Sequence, residues 1–126
     1  MRIPWLYTGP DGISHFGELD IPQTERPGVV GAASPDIATE PLRLQTAPPG
    51  TLDFHPAPRR QIVIVLEGGI EIELADGAKQ QFGPGQMFLA DDTTGQGHIT
   101  RTLGAARHTA QIGVPASLDL SAWRVG

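Results

Sequence analysis

The feature that most constrains the fold of this chain is the regularity with which glycine and proline interrupt it. Sixteen glycines and twelve prolines fall among its 126 residues. They recur roughly every eight to twelve residues, which is the spacing of short strands joined by turns. The best candidate for a helix, residues 115–123 with Ser117 as its cap, is short. We therefore predict an almost all-β chain with at most a short C-terminal helix.

The strand pattern is clearest over residues 41–115. There "QIVIVLEG" is apolar almost throughout, which indicates a strand covered on both faces, and "GIEIELADG" alternates apolar with acidic residues. Residues 1–40 form an N-terminal arm that is too apolar for disorder, and we expect it to lie over the sheet or to pair with a partner subunit's edge strand. Residues 116–126 form a C-terminal tail. The whole chain, 1–126, is one domain, and its short strands predict a barrel or a sandwich.

The charge and composition of the chain exclude several classes of function. Nine basic residues against fourteen acidic ones give a net charge of −5, and the longest basic run is the pair Arg59-Arg60. Nucleic acids and anionic membranes bind clustered lysine and arginine, so we expect neither as a partner. The absence of cysteine excludes disulfides and thiolate chemistry. Since no signal peptide and no membrane-spanning apolar run is recognisable, we expect a soluble cytoplasmic protein.

One segment places polar side chains at alternate positions ahead of an aliphatic run. In "FHPAPRRQIVIVL", residues 54–66, a regular strand would point every second side chain to one face. That face is polar at one end and apolar at the other, as in a pocket whose mouth leads to a hydrophobic floor. Its members are His55, Ala57, Arg59, Gln61, Val63 and Val65.

This segment resembles the first motif of the cupin superfamily, in which a His-x-His pair precedes a glutamate and then a glycine. The run "HPAPRRQIVIVLEG" keeps the spacing of that motif. His55 matches the first histidine and Ala57 the second, while Gln61 matches the glutamate and Gly68 the glycine. In metal-binding cupins this motif supplies two histidines and the glutamate as ligands, and the second motif supplies a third histidine. Two of these four ligand positions are replaced here, one by Ala57 and one by Gln61.

The run "GQMFLADDTTGQGHIT" resembles the second cupin motif. Gly85 matches its opening glycine, Asp91 stands where a proline is usual, and His98 matches the metal-binding histidine. The "DTTGxGH" loop and the "HxAPRRQ" run together resemble a subgroup of small single-domain bacterial cupins with a degenerate metal motif. That subgroup implies no single activity.

The resemblance covers residues 42–115 and implies an all-β, cupin-type jelly-roll β-barrel, also called a double-stranded β-helix. It also implies one divalent transition metal, Zn, Fe, Mn or Ni, bound by imidazoles and a carboxylate. The matching ligands here are His55, Gln61 and His98, because Ala57 has no donor atom. Gln61 offers only a neutral carbonyl oxygen, so this ligand set is small.

Other residues can complete or replace such a metal site. A third imidazole can come from His15 or His108, and a carboxylate from Asp91 or Asp92. In the "DDTTGQGH" loop, however, the two aspartates can instead accept hydrogen bonds from the next backbone N–H groups in an Asx turn. Two further interpretations stay open: a metal-free pocket built from the same residues, and histidines that are simply hydrogen-bonded within the core.

Arg59 is the residue that most favours an anionic ligand. Its guanidinium is always charged and matches a carboxylate or phosphate, whereas an ion pair with Asp53 or Asp91 is the structural alternative. Arg60, on the opposite face, is expected to be exposed or at a subunit contact. We predict a catalytic set of His55, Arg59, Gln61 and His98. We predict pocket walls formed by Asp53, Val63, Val65, Met87, Leu89, Asp91, Thr100, His108 and Ile112.

These residues favour an enzyme that acts on a small oxygen-rich or carboxylate-bearing molecule inside the barrel. The chemistry would be metal-assisted or acid–base catalysis by histidine, as in an isomerase, cyclase or lyase. A dioxygenase is less favoured because it needs a firmly held redox metal. The alternatives are a non-catalytic small-ligand-binding module, such as a sensor or accessory protein, and a barrel whose role is assembly through its arm. A homodimer is expected.

Overall fold

The computed structural model describes residues 1–28 and 30–126. In this part of the chain there are ten strands and one turn of 3₁₀ helix, Ser121–Trp123, so the all-β prediction is confirmed. The strands are β1 (Arg2–Thr8), β2 (Ser14–Asp20), β3 (Thr24–Glu25), β4 (Ala32–Ala33), β5 (Leu42–Ala47), β6 (Thr51–His55), β7 (Gln61–Glu73), β8 (Lys79–Phe82), β9 (Met87–Asp91) and β10 (His98–Gly113). No helix in the described residues has the length and apolar composition needed to cross a bilayer.

Eight of these strands form one mixed sheet. Its order is β2-β1-β9-β7-β10-β5, with β8 added to β7 and β6 added to β10. The pairing of β1 with β9 is parallel, and the other pairings in the sheet are antiparallel. β3 and β4 form a separate two-stranded sheet. The sheet is therefore organised around β7 and β10, its two longest strands, which span 13 and 16 residues.

The sheet bends where β7 and β10 both lose their regular pairing. The buried positions of β7 are odd-numbered up to Val65 and even-numbered from Ile70 onward. The change falls at Gly68, whose φ is +74° and where a Cβ atom would collide with the carbonyl oxygen of Ala106. The pairing of β10 with β7 shifts register between Leu103 and His108. Such bulges bend a sheet, and here side chains from both halves of β7 line the same interior.

Two hydrophobic clusters form on opposite sides of β9. Phe88 and Ala90 belong to the interior cluster, whereas Leu89 and its neighbour Met87 pack in the other. Fully burying a side chain such as valine or phenylalanine contributes about 1.5–3 kcal/mol. The interior cluster comprises Leu6, Ala57, Val63, Val65, Ile70, Ile72, Leu74, Phe82, Phe88 and Ala90. The outer cluster comprises Ile3, Trp5, Leu19, Ile21, Leu89, Val114 and Leu120.

The sheet does not close into a barrel, because β2 and β5 remain its two ends among the described residues. The edge of β2 is instead protected by the C-terminal tail. Leu19 forms a bridge with Arg124, and the N–H of Val125 donates to the carbonyl of Glu18 at 3.2 Å. Covering an edge in this way removes the need for closure at that end.

Both ends of the chain differ from the sequence interpretation. Much of the predicted arm, residues 1–40, is regular: β1 and β2 are part of the sheet, and β1 pairs with β9 of its own chain. The predicted helix over residues 115–123 is reduced to the turn Ser121–Trp123, and Ser117 caps no helix. Arg60 contributes to this outcome, since its Nη1 donates to the carbonyls of Pro115 and Leu118 at 3.1 and 2.8 Å.

Candidate functional site

A cavity of about 340 Å³ lies between the two halves of the bent sheet. Its floor is apolar and includes Val63 and Ile72 from the two halves of β7, together with Phe88 from β9. Its polar lining includes His55 and His98. A volume of this size is within the range of roughly 300–1,000 Å³ that is typical of small-molecule sites.

The two predicted histidines meet in this cavity. His55 is the last residue of β6, His98 is the first residue of β10, and the two are paired directly across these strands. Their ring centroids are 4.7 Å apart, with an angle of 52° between the ring planes. Gly97, with φ of +77°, brings the loop so close to β6 that a Cβ atom would collide with the His55 carbonyl. The glycine therefore permits the close approach that places His98 beside His55.

Hydrogen bonds define the tautomer of each histidine. His55 Nδ1 lies 2.9 Å from the backbone oxygen of Asp53, which can only accept, so Nδ1 carries the proton. His98 Nδ1 lies 2.6 Å from Oδ2 of Asp92 and donates to that carboxylate. Neither Nε2 atom has a hydrogen-bond partner among the described residues. Both Nε2 lone pairs are therefore available to a ligand in the cavity.

Asp92 makes different contacts from those that the sequence interpretation gave it. Its side chain is completely buried and accepts hydrogen bonds from Ser14 Oγ and His98 Nδ1, both at 2.6 Å. It does not form the predicted Asx turn. Asp91 points elsewhere and binds Trp5 Nε1 at 2.9 Å. The sequence held one indication of this difference: the two aspartates are adjacent at the end of a strand, and adjacent side chains of a strand point to opposite faces of the sheet.

Arg59 does not line the cavity and pairs with neither Asp53 nor Asp91 among the described residues. Its Nε donates to Oε1 of Gln61 at 3.1 Å. Arg60 takes the ion pair instead, with its Nε 2.7 Å from Asp91 Oδ1, and both side chains are 14% exposed. The alternation failed because β6 ends at His55 and β7 begins at Gln61, so the residues between them are not a continuous strand.

The other predicted wall residues are divided between several environments. The predicted wall residues Val63 and Thr100 line the cavity, and so does Gln61, which was predicted as a catalytic residue and metal ligand. Val65 is completely buried in the interior cluster behind the cavity. The residues that do not line it are Asp53, Val65, Met87, Leu89, Asp91, His108 and Ile112.

Strand register explains most of these corrections. Met87 and Leu89 lie on the outer side of β9 because Phe88 and Ala90 take the inner positions. On β10 the register shift before His108 turns Thr109 and Gln111 inward, and Ile112 is excluded with His108. His108 is outside the cavity, with Nδ1 2.9 Å from Thr46 Oγ1 and Nε2 3.6 Å from Glu67. Asp53 is exposed, and its Oδ1 accepts from the N–H of Phe54 at 2.8 Å.

Several polar residues line the cavity without having been predicted. Arg107, Thr109 and Gln111 come from the C-terminal half of β10, and Arg43 and Gln45 come from the neighbouring β5. Burial lowers the pKa of the Arg107 guanidinium from its ordinary value. No cluster of three or more histidine, aspartate or glutamate side chains with the geometry of a metal site occurs in the part of the chain that the structure describes.

The sequence matches no protein-family model and no curated protein. Two solved structures are similar in shape. One is protein NMB1881 from Neisseria meningitidis, with 15% identity, a TM-score of 0.49, and coverage of 64% of this chain and 83% of that one. The other is the conserved protein SPY1581 of unknown function from Streptococcus pyogenes, with 14% identity, a TM-score of 0.44, and coverage of 79% and 96%. At these scores neither structure assigns a fold family to this chain.

Proposed function

We propose that this chain is a small-molecule enzyme of the cupin type whose active site is the cavity lined by His55 and His98. The reaction is acid–base catalysis of the kind used by isomerases, cyclases and lyases. The observation that carries the proposal is the shared tautomer: both imidazoles use Nδ1–H within the protein, and both Nε2 lone pairs remain for a substrate. Two free imidazole nitrogens in a cavity of small-molecule size are well suited to moving a proton near neutral pH.

The cupin assignment is part of this proposal. It is supported by the placement of His55 and His98, which match the two motif histidines and are paired on adjacent strands. It is also supported by Gly68, the motif glycine, which lies at the bend of the sheet. A jelly roll folds its strands into two facing layers, and the bend gives the two halves of β7 such an arrangement.

The surroundings of the two histidines suggest different roles. The buried carboxylate of Asp92 would stabilise the positive charge that His98 gains when it removes a proton from the substrate. His55 donates only to a neutral carbonyl, and two imidazolium rings at 4.7 Å would repel each other. We therefore assign His98 as the base and His55 as a binding group, whose neutral Nε2 accepts a hydrogen bond from a hydroxyl group of the substrate. The apolar floor limits access of water to the proton being moved.

The same residues are suitable donors for a divalent transition metal. The bond from each Nδ1 to a carbonyl or carboxylate is the arrangement that supports metal-bound histidines. The ligands would be Nε2 of His55, Nε2 of His98 and Oε1 of Gln61, which also accepts from Arg59. A bound metal would supply Lewis-acid polarisation of a substrate oxygen. About one equivalent of metal in the purified protein, lost in His98→Ala, would identify this form of the site.

The catalytic proposal can be tested by NMR in heavy water. A panel of small keto and hydroxy acids is incubated with the protein, and exchange of the hydrogens on the carbon next to a carbonyl or carboxyl group is followed. Wild-type protein should exchange at least one compound, and His98→Ala and His55→Ala should lose that activity. His108→Ala is the matched control because His108 is outside the cavity. Ligands that bind and raise the Tm without any turnover would instead indicate the non-catalytic binding module.

We also propose that the protein is a homodimer in the cytoplasm. The dimer is supported by the exposed leucines of the edge strand β5, Leu42 and Leu44, which are 59% and 74% exposed. Fractionation of cells that carry a tagged copy of the chain would test the location.

A further inference from the structure

The charge of the cavity lining differs in sign from that of the whole chain. The chain carries a net charge of −5. The lining nevertheless contains two arginines, Arg43 and Arg107, and no aspartate or glutamate among the residues that the structure describes. Ion pairs elsewhere neutralise several other arginines. A small cavity with guanidinium groups and no carboxylate favours an anion.

Arg107 is the more informative of the two arginines because it is partly buried. Its Nη1 donates to Thr102 Oγ1 at 3.1 Å, and its Nε has no partner within residues 1–28 and 30–126. It takes part in none of the ion pairs found in the same residues. Burying a guanidinium without an anionic partner is costly, and burial lowers its pKa.

Thr109 places a second unpaired group on the same wall. It lies two positions after Arg107 on β10, is 1% exposed, and its Oγ1 has no partner among the described residues. Buried polar atoms normally have hydrogen-bond partners. Among the described residues, the buried side-chain atoms without a partner are Asp92 Oδ1, Arg107 Nε and Thr109 Oγ1. The last two belong to residues that line this cavity.

We propose that Arg107 and Thr109 form a subsite that binds the carboxylate group of a small organic monoanion. The Arg107 N–H groups and the Thr109 hydroxyl are the donors that a carboxylate accepts from. Arg43 is exposed, so solvent screens its charge, whereas the partly buried guanidinium of Arg107 is neutralised by one negative charge, which favours a carboxylate over a dianionic phosphate. Arg107 thus takes the anion-binding role that the sequence analysis gave to Arg59, whose Nε donates to Gln61.

The subsite also orients the ligand, and in this respect it rests on the proposed function. Arg107 and Thr109 lie in the half of β10 that pairs with β5, while His98 begins the half that pairs with β6. A carboxylate held by the C-terminal half of β10 leaves the rest of the ligand to extend over the apolar floor toward the two histidines. The substrate would then be a carboxylic acid whose reacting carbon is separated from the carboxylate by several bonds.

Binding of butyrate, butyramide and butyl phosphate by isothermal titration calorimetry tests the subsite. We expect butyrate to bind, butyramide to bind at least tenfold more weakly, and Arg107→Gln to lose at least tenfold in affinity for butyrate. Thr109→Val, which keeps the shape of the side chain, should lose several-fold. Arg2→Gln is the control, because Arg2 is exposed and paired with Glu18 on the surface. Equal binding of butyrate and butyramide, or tighter binding of butyl phosphate, would overturn the assignment to a carboxylate.

The thermal stability of the free protein provides a second readout. If Arg107 is held unpaired for a ligand, Arg107→Gln should raise the Tm of the free protein while it weakens butyrate binding. A lower Tm with unchanged binding would show that Arg107 is structural and would overturn the proposal. If His98→Ala loses hydrogen exchange but Arg107→Gln leaves butyrate binding unchanged, the catalytic site is retained and only this subsite is rejected. Arg107-dependent binding without any exchange would reject catalysis and retain the subsite.

Discussion

The His98 ring is oriented by Asp92, a residue that does not itself line the cavity. The carboxylate is completely buried and binds both His98 Nδ1 and Ser14 Oγ at 2.6 Å. Ser14 lies on β2, so this chain of hydrogen bonds connects the cavity to the far edge of the sheet. A histidine whose Nδ1 is held in this way presents Nε2 in one direction with little freedom to rotate.

The first prediction concerns the protonation of the two cavity histidines. Long-range proton–nitrogen NMR spectra of the neutral rings should show Nδ1–H with an unprotonated Nε2 for both His55 and His98. His15 is the internal control, because its Nε2 lies 3.0 Å from Asp11 Oδ2 and should therefore carry the proton. An Nε2–H pattern for His98 would contradict the tautomer on which the proposed base depends.

The second prediction concerns the removal of charge from Asp92. Asp92→Asn keeps the volume of the side chain, but it can hold His98 through only one oxygen and no longer balances an imidazolium. We expect the exchange rate to fall by about 10- to 100-fold, as for other residues that support a functional histidine. Asp20→Asn, at an exposed site near the N-terminus, should leave the rate unchanged. A wild-type rate in Asp92→Asn would show that Asp92 only packs beside His98.

At the scale of the strands, the bend at Gly68 determines which side chains face the cavity. The conformation needs a positive φ, and the carbonyl of Ala106 occupies the space where a side chain would begin. Both halves of β7 bury one face, but the buried positions change from odd to even across the bend. The cavity therefore depends on a local irregularity in two paired strands.

The third prediction compares alanine at two glycines with similar backbone conformations. Gly68 has φ of +74° beside Ala106, whereas Gly77 has φ of +87° and no other atom within 4 Å of the position that a methyl group would occupy. Gly77→Ala should cost about 1 kcal/mol of unfolding free energy. Gly68→Ala adds a steric clash with backbone and should cost about 3 kcal/mol or more. Urea denaturation measures both, and equal losses would show that the space beside Gly68 adjusts freely.

The sequence predicted those strands whose two faces differ in polarity. In "GIEIELADG" the alternation correctly placed Ile70, Ile72 and Leu74 inside, where they are 5%, 1% and 3% exposed. In "MFLA" both faces are apolar, so alternation could not decide that Phe88 faces the cavity and Leu89 does not. In β5 the limit is different: apolar and polar residues alternate clearly in "LRLQT", but nearly all of them are exposed, and the polar Arg43 and Gln45 line the cavity instead of the leucines.

Other parts of the site depend on features that alternation does not encode. His108 was expected to point inward, but the register shift on β10 reverses that expectation. The bond between Ser14 and Asp92 joins residues 78 positions apart. His55 and His98 were predicted to lie together because they match two motifs of one fold family. That inference uses the pattern of a complete fold, whereas alternation describes a single strand. Arg107 was missed because a basic residue in a strand looks like a solvated one until its surroundings are known.

At the scale of the whole molecule, the two ends of the sheet are protected differently. The tail covers β2 through Arg124 and Val125, and the Arg124 guanidinium also lies 5.0 Å from the Trp5 ring. Among the described residues β5 pairs only with β10, so its other edge presents free backbone groups. An uncovered edge with apolar side chains is a surface that a second copy of the chain can pair with.

The fourth prediction is therefore that the protein dimerises through β5. Leu44, the most exposed leucine of that strand at 74%, would be buried between two copies, so Leu44→Asp should convert the dimer to a monomer. Leu66→Asp is the matched control, because Leu66 is 54% exposed but lies on β7, which has a neighbour on each side. Light scattering after gel filtration measures the mass of each variant. Because the cavity lies within one chain, the Leu44→Asp monomer should still bind butyrate if it folds. A wild-type monomer at every concentration tested, or a Leu44→Asp dimer, would show that the β5 edge stays open to solvent.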